Sequence, residues 1–218
     1  PALVIVAVQA FISRANANWA SAGFVAGVIV AAAWLVRWRA KGWLTAALVL
    51  QAALAVLFVT WTIAPATADA MGVANSIKRA KGWRSLTEMI VDRADREPGL
   101  TAIAVNDRFL FNAAAYYGRD AWAEGGLPPL VMWVRAAHPQ TQAETTDPLT
   151  VRNGGRVLGV ILEDGHRDEM LADFGKVRDH ERVRVSLDRK RRRGAELFVG
   201  EPFAPRPRDP LTGLPTRP

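Results

Sequence analysis

Three polar residues, Arg14, Asn16 and Asn18, stand between two segments that contain almost no other polar group. An arginine guanidinium presents a planar fork of donors that fits phosphate oxygens, and asparagine bonds to phosphate or to sugar hydroxyls. Unsatisfied polar groups in hydrocarbon cost several kcal/mol, so these side chains need water, protein or a ligand. Their types favour either a site for a lipid-linked donor phosphate or a solvated turn whose arginine extends to lipid headgroups.

A second group of polar and aromatic residues lies in DRFLFNAAAYYGRD, residues 107–120. Asp107, Arg108 and Tyr117 are the candidates for a rim that contacts an acceptor or a sugar. The alternative is an ordinary helix that packs on a sheet, with the Asn106–Asp107 pair capping its first turn.

A basic run, DRKRRRG at residues 188–194, lies between two apolar segments that alternate like strands. A solvated hairpin turn explains it, and anionic lipid headgroups are the alternative. No pattern of stacking aromatics accompanies the run, so nucleic acid is not an expected partner. The three histidines, at 138, 166 and 180, have no metal-ligand spacing. No metal site and no cofactor are identifiable in this chain.

The composition changes sharply between residues 64 and 69. All 21 acidic residues and 24 of the 28 basic residues lie after Ile63. Mean hydropathy near zero therefore averages an apolar segment with a balanced, charged one. The chain has no cysteine, which excludes a disulfide framework and thiolate metal sites.

The apolar part predicts membrane helices at about 1–13, 19–36 and 43–63. Residues 43–63 are 21 residues without a charge, which reach roughly 30 Å as a helix. The second run, 20–36, is at the short limit for spanning, and the first is expected to be the end of a helix. Tryptophans cluster at the ends of these segments, as in interfacial belts. The basic turn RWRAKG, residues 37–42, is expected in the cytoplasm, and residues beyond Ile63 outside it.

The remainder predicts a small extracytoplasmic α/β domain at 64–200, because apolar strand-like runs alternate with helical segments. Strands are expected at 101–106, 130–135 and 156–164, and a hairpin at 182–188 and 195–203. A short helix is expected at 166–175, ending at Gly175. The segment 201–218 has six prolines and is expected to be disordered. The predicted fold class is thus two full transmembrane helices, the end of a third, and an α/β domain.

The stretch VQAFISRANANWASAGF, together with KRAKGW and VNDRFLFNAAAYYGRD, resembles bacterial polytopic membrane glycosyltransferases of the GT-C type. These are the protein-O-mannosyltransferase and aminoarabinose-transferase class, glycosyltransferase family 39. The resemblance implies the C-terminal part of an enzyme in the bacterial inner membrane. It implies transfer of a sugar from a polyprenyl-phosphate carrier to an envelope acceptor (lipid, glycan or protein) on the outer face.

In that class the catalytic carboxylate lies in an early external loop, whereas this chain has no acidic residue before Asp69. The catalytic residues, and any ligands for a divalent metal, are therefore expected upstream of Pro1. Arg14, Asn16 and Asn18 are expected to bind the donor phosphate, and Asp107, Arg108 and Tyr117 to form the acceptor rim. The alternative function is a non-enzymatic, membrane-anchored α/β binding module.

Overall fold

The computed structural model describes residues 2–12, 21–162 and 165–216. The chain divides into two compact units, Pro1–Thr67 and Ala68–Pro218. This division lies four residues beyond the boundary expected from composition.

The first unit is helical. Its helices are α1 (Ala2–Ile12), α2 (Ser21–Arg37), α3 (Lys41–Ile63) and the start of α4 (Pro65–Ala70). The turn between α2 and α3 is tight: Arg39 adopts a positive φ of 56°, and the amide of Ala40 donates to the carbonyl of Leu35 at 2.9 Å. The predicted phosphate-site residues, Arg14, Asn16 and Asn18, lie outside the described residues.

Among the described helices, one, α3, is long and apolar enough to cross a membrane. The prediction of two full transmembrane helices is therefore wrong. The apolar stretch of the second helix, Gly23–Arg37, is shorter than 18 residues. At 1.5 Å per residue it reaches about 22 Å, well short of a hydrocarbon core of about 30 Å.

Most side chains of α3 are exposed. Only 6% of its most apolar window is buried. Leu48, Val49, Leu50 and Phe58 each expose more than half of their surface. An apolar surface of this extent marks contact with lipid or with another protein.

Replacing Ala52, at the midpoint of α3, with arginine tests this interpretation. A charge at the centre of a membrane helix costs about 2.5–3.5 kcal/mol. We therefore expect Ala52→Arg to reduce the fraction of chain that resists alkaline carbonate extraction from membranes, while Ala52→Leu leaves it unchanged. Equal integration of both variants would show that α3 is not a membrane helix.

The second unit is built on a five-stranded mixed sheet with helices on both faces. Its strands are β1 (Ala102–Val105), β2 (Leu130–Met132), β3 (Val157–Leu162), β4 (Phe174–Ser186) and β5 (Arg192–Phe203). Its helices are α5 (Ala74–Ile77), a 3-10 turn (Lys78–Ala80), α6 (Trp83–Asp95), α7 (Arg108–Tyr117), α8 (Arg119–Ala123), α9 (Gln142–Thr146) and α10 (Arg167–Leu171).

The strand order is β2-β1-β3-β5-β4. The first three strands are parallel, and Ala104 lies opposite both Val131 and Gly159. β5 runs antiparallel to β3 and β4. The carboxyl ends of β2, β1 and β3 therefore meet at one edge, where ligands commonly bind in α/β sheets.

Alternation along the strands creates two apolar cores. In β1, Ile103 and Val105 face the core that contains α6 and α7, whereas Ala102 and Ala104 face the core that contains α10. Both faces of β1 are buried, as expected of a central strand in a parallel sheet.

The boundary between α10 and β4 differs from the sequence prediction. A short helix was expected over 166–175, but α10 ends at Leu171 and Gly175 lies inside β4. β4 forms one edge of the sheet, and its pairing with β5 is irregular between Arg178 and Glu181. Asp179, in this irregular stretch, has a φ of 54°. The sequence of β4 is mostly polar, and eight of its thirteen residues are exposed to solvent.

Candidate functional site

The carboxyl edge of the parallel strands is fixed by Asn106, the residue after β1. Its side-chain oxygen accepts from the amide of Leu162 at 3.0 Å, and its side-chain amide donates to the carbonyl of Gly165 at 3.1 Å. A Cβ on Gly165 would lie 2.1 Å from the Asn106 nitrogen. Glycine is therefore required at this close approach, which joins the end of β1 to the segment after β3.

A cleft of 580 Å³ lies near this edge. Arg135, three residues after β2, and Glu169 of α10 line one side. The segment that follows β5 lines the other. The remaining polar residues of the lining are Asp168, Arg206, Asp209, Thr212 and Thr216.

Within the cleft, an ion pair joins Arg135, in the segment after β2, to Glu169 of α10. Arg135 donates to both carboxylate oxygens of Glu169, at 2.6 and 3.0 Å. These bonds hold the pKa of Glu169 below its usual value and raise that of Arg135. Both side chains are about one-third exposed, 32% and 33%, so they are charged and still accessible to a ligand.

The far wall of the cleft is held in place by Asp173, whose carboxylate is fully buried. The indole of Trp133 and the guanidinium of Arg208 donate to one of its oxygens at 2.8 and 2.9 Å. The backbone amide of Arg206 donates to the other at 2.9 Å. Disorder was predicted for residues 201–218, but 201–203 belong to β5 and residues 206 and 208 make these bonds.

A short turn completes this wall. The carboxylate of Asp209 accepts from the backbone amides of Leu211 and Thr212, both at 2.8 Å. These amides lower the pKa of Asp209, the bond from Thr212 first. The turn presents the Thr212 hydroxyl and the Asp209 carboxylate beside the Arg135–Glu169 pair.

The cleft combines guanidinium donors, carboxylate acceptors and hydroxyls that do both. Arg135 and Arg206 oppose Asp168, Glu169 and Asp209, so the charges nearly balance. Such a lining fits a neutral molecule with many hydroxyls better than a strong anion or cation. Within the described ranges, no cluster of three or more metal-ligating side chains occurs.

A smaller cavity of 230 Å³ lies on the face of the sheet between α10 and the β4–β5 pair. Glu196, which is 8% exposed, lines this cavity. Arg167 donates to both of its oxygens at 2.8 and 2.7 Å, and His180 Nδ1 lies 2.9 Å away. Arg167 and His180 hold the pKa of Glu196 at about 2. Through its bonds with Arg167, this carboxylate connects α10 to β5.

The structure does not bring the predicted acceptor-rim residues together. Asp107 is the N-cap of α7 and accepts from the amides of Phe109 and Leu110 at 2.8 and 3.0 Å. The guanidinium of Arg108 stacks on the Phe109 ring. Tyr117 is the last residue of α7, about 14 Å along the helix axis from Arg108, where it contacts Arg84.

The residues that line the cleft were not selected from the sequence. Arg135 and Glu169 are 34 positions apart and share no motif. A signal was present, because Arg135 follows LVMWV and HRDE follows the third strand. Charged residues directly after buried parallel strands meet at one edge.

The described fold defines an α/β domain that follows an apolar helix. Comparison with protein-family models finds no match, and neither do comparisons with curated proteins and with solved structures.

Removing the Asp173 carboxylate tests how the cleft wall is held. Asp173→Ala leaves two arginines without their buried partner, and such losses cost about 3–5 kcal/mol. We expect a lower urea midpoint for the detergent-solubilised chain and faster tryptic cleavage after Arg208, which precedes Asp209. Asp168→Ala, at a side chain that is 92% exposed, is the matched control. Unchanged cleavage in Asp173→Ala would contradict this assignment.

Glu196 makes a pH-dependent contribution to the stability of the α/β domain. Its pKa in the folded chain, about 2, lies below the ordinary value of 4.5. The stabilisation is therefore complete above pH 4.5 and is lost as the pH falls towards 2. Because Arg167 is 44% exposed, solvent screens the pair, and we expect Glu196→Gln to cost about 2 kcal/mol at pH 7.

The measurement is the urea midpoint at pH 7 and at pH 3. The difference between wild type and Glu196→Gln is expected to shrink at the lower pH. Glu88→Gln, at an exposed position of α6, controls for loss of one charge. An equal difference at both pH values would refute the assignment.

Proposed function

We propose that this chain is the C-terminal part of an integral membrane glycosyltransferase, and that its α/β domain binds the acceptor. The enzyme moves a sugar from a polyprenyl-phosphate donor to an envelope acceptor at the outer face of the bacterial inner membrane. The observation that carries the proposal is the polar cleft of 580 Å³ lined by Arg135, α10 and the segment after β5.

The chemistry of the cleft supports a glycan-bearing acceptor. Every sugar hydroxyl both donates and accepts a hydrogen bond. Carboxylates at Glu169 and Asp209 accept, guanidiniums at Arg135 and Arg206 donate, and Thr212 does either. The volume falls within the range of about 300–1,000 Å³ that small-molecule sites occupy.

The helix α3 supports a membrane location. A polyprenyl carrier is itself a lipid, so an enzyme that uses one works at a bilayer. Three basic residues, Arg37, Arg39 and Lys41, precede the apolar core of α3. By the positive-inside rule, this end faces the cytoplasm and the α/β domain lies outside.

In this proposal the α/β domain binds the acceptor, and residues outside the domain catalyse the sugar transfer. The pKa of Glu169 is lowered by Arg135, so this carboxylate is a poor general base near neutral pH. Asp107 is engaged in capping α7. A carboxylate elsewhere in the enzyme activates the acceptor, and Arg14, Asn16 and Asn18 remain the proposed contacts to the donor phosphate.

The same observation favours one second candidate, a non-enzymatic membrane-anchored binding module. Arg135 and Glu169 are fixed to each other, which suits recognition more than proton transfer. This module needs only α3 and the cleft.

The test is a transfer assay with labelled polyprenyl-phosphate sugar in membranes that contain the full-length protein. Glu169→Gln removes a charged acceptor from the cleft while keeping its shape. We expect the KM for the acceptor to rise about tenfold, with kcat little changed. Asp120→Asn, at a side chain that is 81% exposed, is the control.

Three outcomes separate the candidates. A selective rise in KM supports acceptor binding by the cleft. Glycan binding without any transfer favours the non-enzymatic module. Transfer with an unaltered KM in Glu169→Gln excludes the cleft as the acceptor site.

A further inference from the structure

A basic surface forms where the β4–β5 turn meets the segment before α6. We call it the basic ridge: Lys78, Arg79, Arg189, Lys190, Arg191 and Arg192. All six side chains are exposed. They come from two stretches of sequence more than 100 residues apart. The fold therefore brings together basic residues that are distant in the sequence.

The turn of the hairpin has a defined shape. The carboxylate of Asp188 accepts from the backbone amides of Lys190 and Arg191, each at 2.8 Å. The amide of Leu187 donates to the carbonyl of Arg191 at 2.9 Å. Asp188 is thereby turned inward, with 10% of its side chain exposed, and the neighbouring cations face outward.

Contacts between the hairpin and the other segment make the ridge one surface. Arg191 donates to the side chain of Asn75 at 2.8 Å. Arg193 donates to the carbonyl of Lys78 at 3.2 Å, and its guanidinium lies 3.5 Å from the centre of the Trp83 ring. Gly82, with a φ of 78°, lies so close to Leu187 that a Cβ would be 2.6 Å from that side chain.

The charge of the ridge is largely uncompensated. Within the described part of the chain, Lys78, Arg79, Arg189, Lys190 and Arg192 have no carboxylate within 4.0 Å. Arg191 reaches Asp188 only at 4.0 Å. Asp69, in the segment before the ridge, is paired with Lys81. A concentration of cations without partners is the electrostatic requirement for binding an anionic surface.

A short connection leads from the end of α3 to the ridge. Twelve residues lead from Ile63 to Asn75, so the connection spans at most about 40 Å. Six of these residues form α4, which shortens it. Met71, in the same connection, is 59% exposed. A connection of this length allows the ridge to reach the bilayer surface, where basic residues are attracted to anionic lipids.

We propose that the basic ridge binds the anionic phospholipid headgroups of the membrane that holds α3. This inference rests on the proposed function only in placing α3 in a bilayer. Nucleic acid is less favoured because binding of single strands uses stacking on aromatic rings, and the ring of Trp83 is covered by Arg193.

The experiment uses the full chain in lipid nanodiscs. The chain contains no cysteine, so Ala80→Cys, at an exposed position inside the ridge, accepts a single fluorophore. Spin-labelled headgroups quench the fluorophore on contact. Discs of phosphatidylcholine alone are compared with discs that contain phosphatidylglycerol. We expect quenching in anionic discs that exceeds quenching in neutral discs by roughly fivefold or more and that weakens at high salt.

A charge-reversal variant identifies the residues. Arg189→Glu/Lys190→Glu/Arg192→Glu is expected to reduce quenching in anionic discs to the level in neutral discs. Arg96→Glu/Arg152→Glu/Lys176→Glu changes net charge equally at exposed positions outside the ridge and is expected to retain the quenching. Circular dichroism of each variant verifies folding, and a variant with single Glu replacement at Lys190 provides a milder version of the same change.

The outcomes distinguish this inference from the proposed function. Integration into discs without lipid-dependent quenching overturns the ridge and leaves the proposed function standing. Loss of integration overturns both. Equal loss of quenching in the two triple variants shows that only net charge matters and overturns the ridge. Tight binding of a single-stranded oligonucleotide, reversed by the ridge variant and without lipid quenching, replaces lipid with nucleic acid as the partner.

Discussion

The polar cleft of the α/β domain depends on the hydrogen bonds that the buried carboxylate of Asp173 accepts. Removing a carboxylate from water is costly unless donors surround it, and here an indole, a guanidinium and a backbone amide do so. Those donors come from the segment after β2 and the segment after β5. A single charge therefore sets the position of both, and the cleft between them exists because this charge is satisfied.

Much of the sheet could be predicted because its strands are short apolar runs. AIAV and VLGVIL are buried along nearly their whole length, and the pattern of parallel strands separated by helices follows from that. The start of β4 could not be predicted, since polar and apolar residues do not alternate regularly in FGKVRDHE. In the first unit, the run 20–36 was predicted to span at the short limit of length, but the apolar part of its helix, Gly23–Arg37, is too short.

The site was harder to predict than the fold, for a physical reason. Asp107 and Tyr117 were predicted as site residues because polar and aromatic residues are close together in that stretch of sequence. In the structure they lie at opposite ends of α7. Arg135 follows β2 and Glu169 lies in α10 after β3, and only the folded chain brings these two side chains into contact. Recognition sites of this kind are assembled by topology, and local motifs do not record them.

The long outer strand β4 has a consequence for how the molecule behaves among its copies. An unpaired strand edge invites another chain to extend the sheet, and charged side chains and bulges oppose this. β4 carries Lys176, Arg178, Arg182 and Arg184 along its length, and its course is broken at Asp179. Like charges on two such strands would face each other on approach. The domain can therefore be crowded at a surface without polymerising through its sheet.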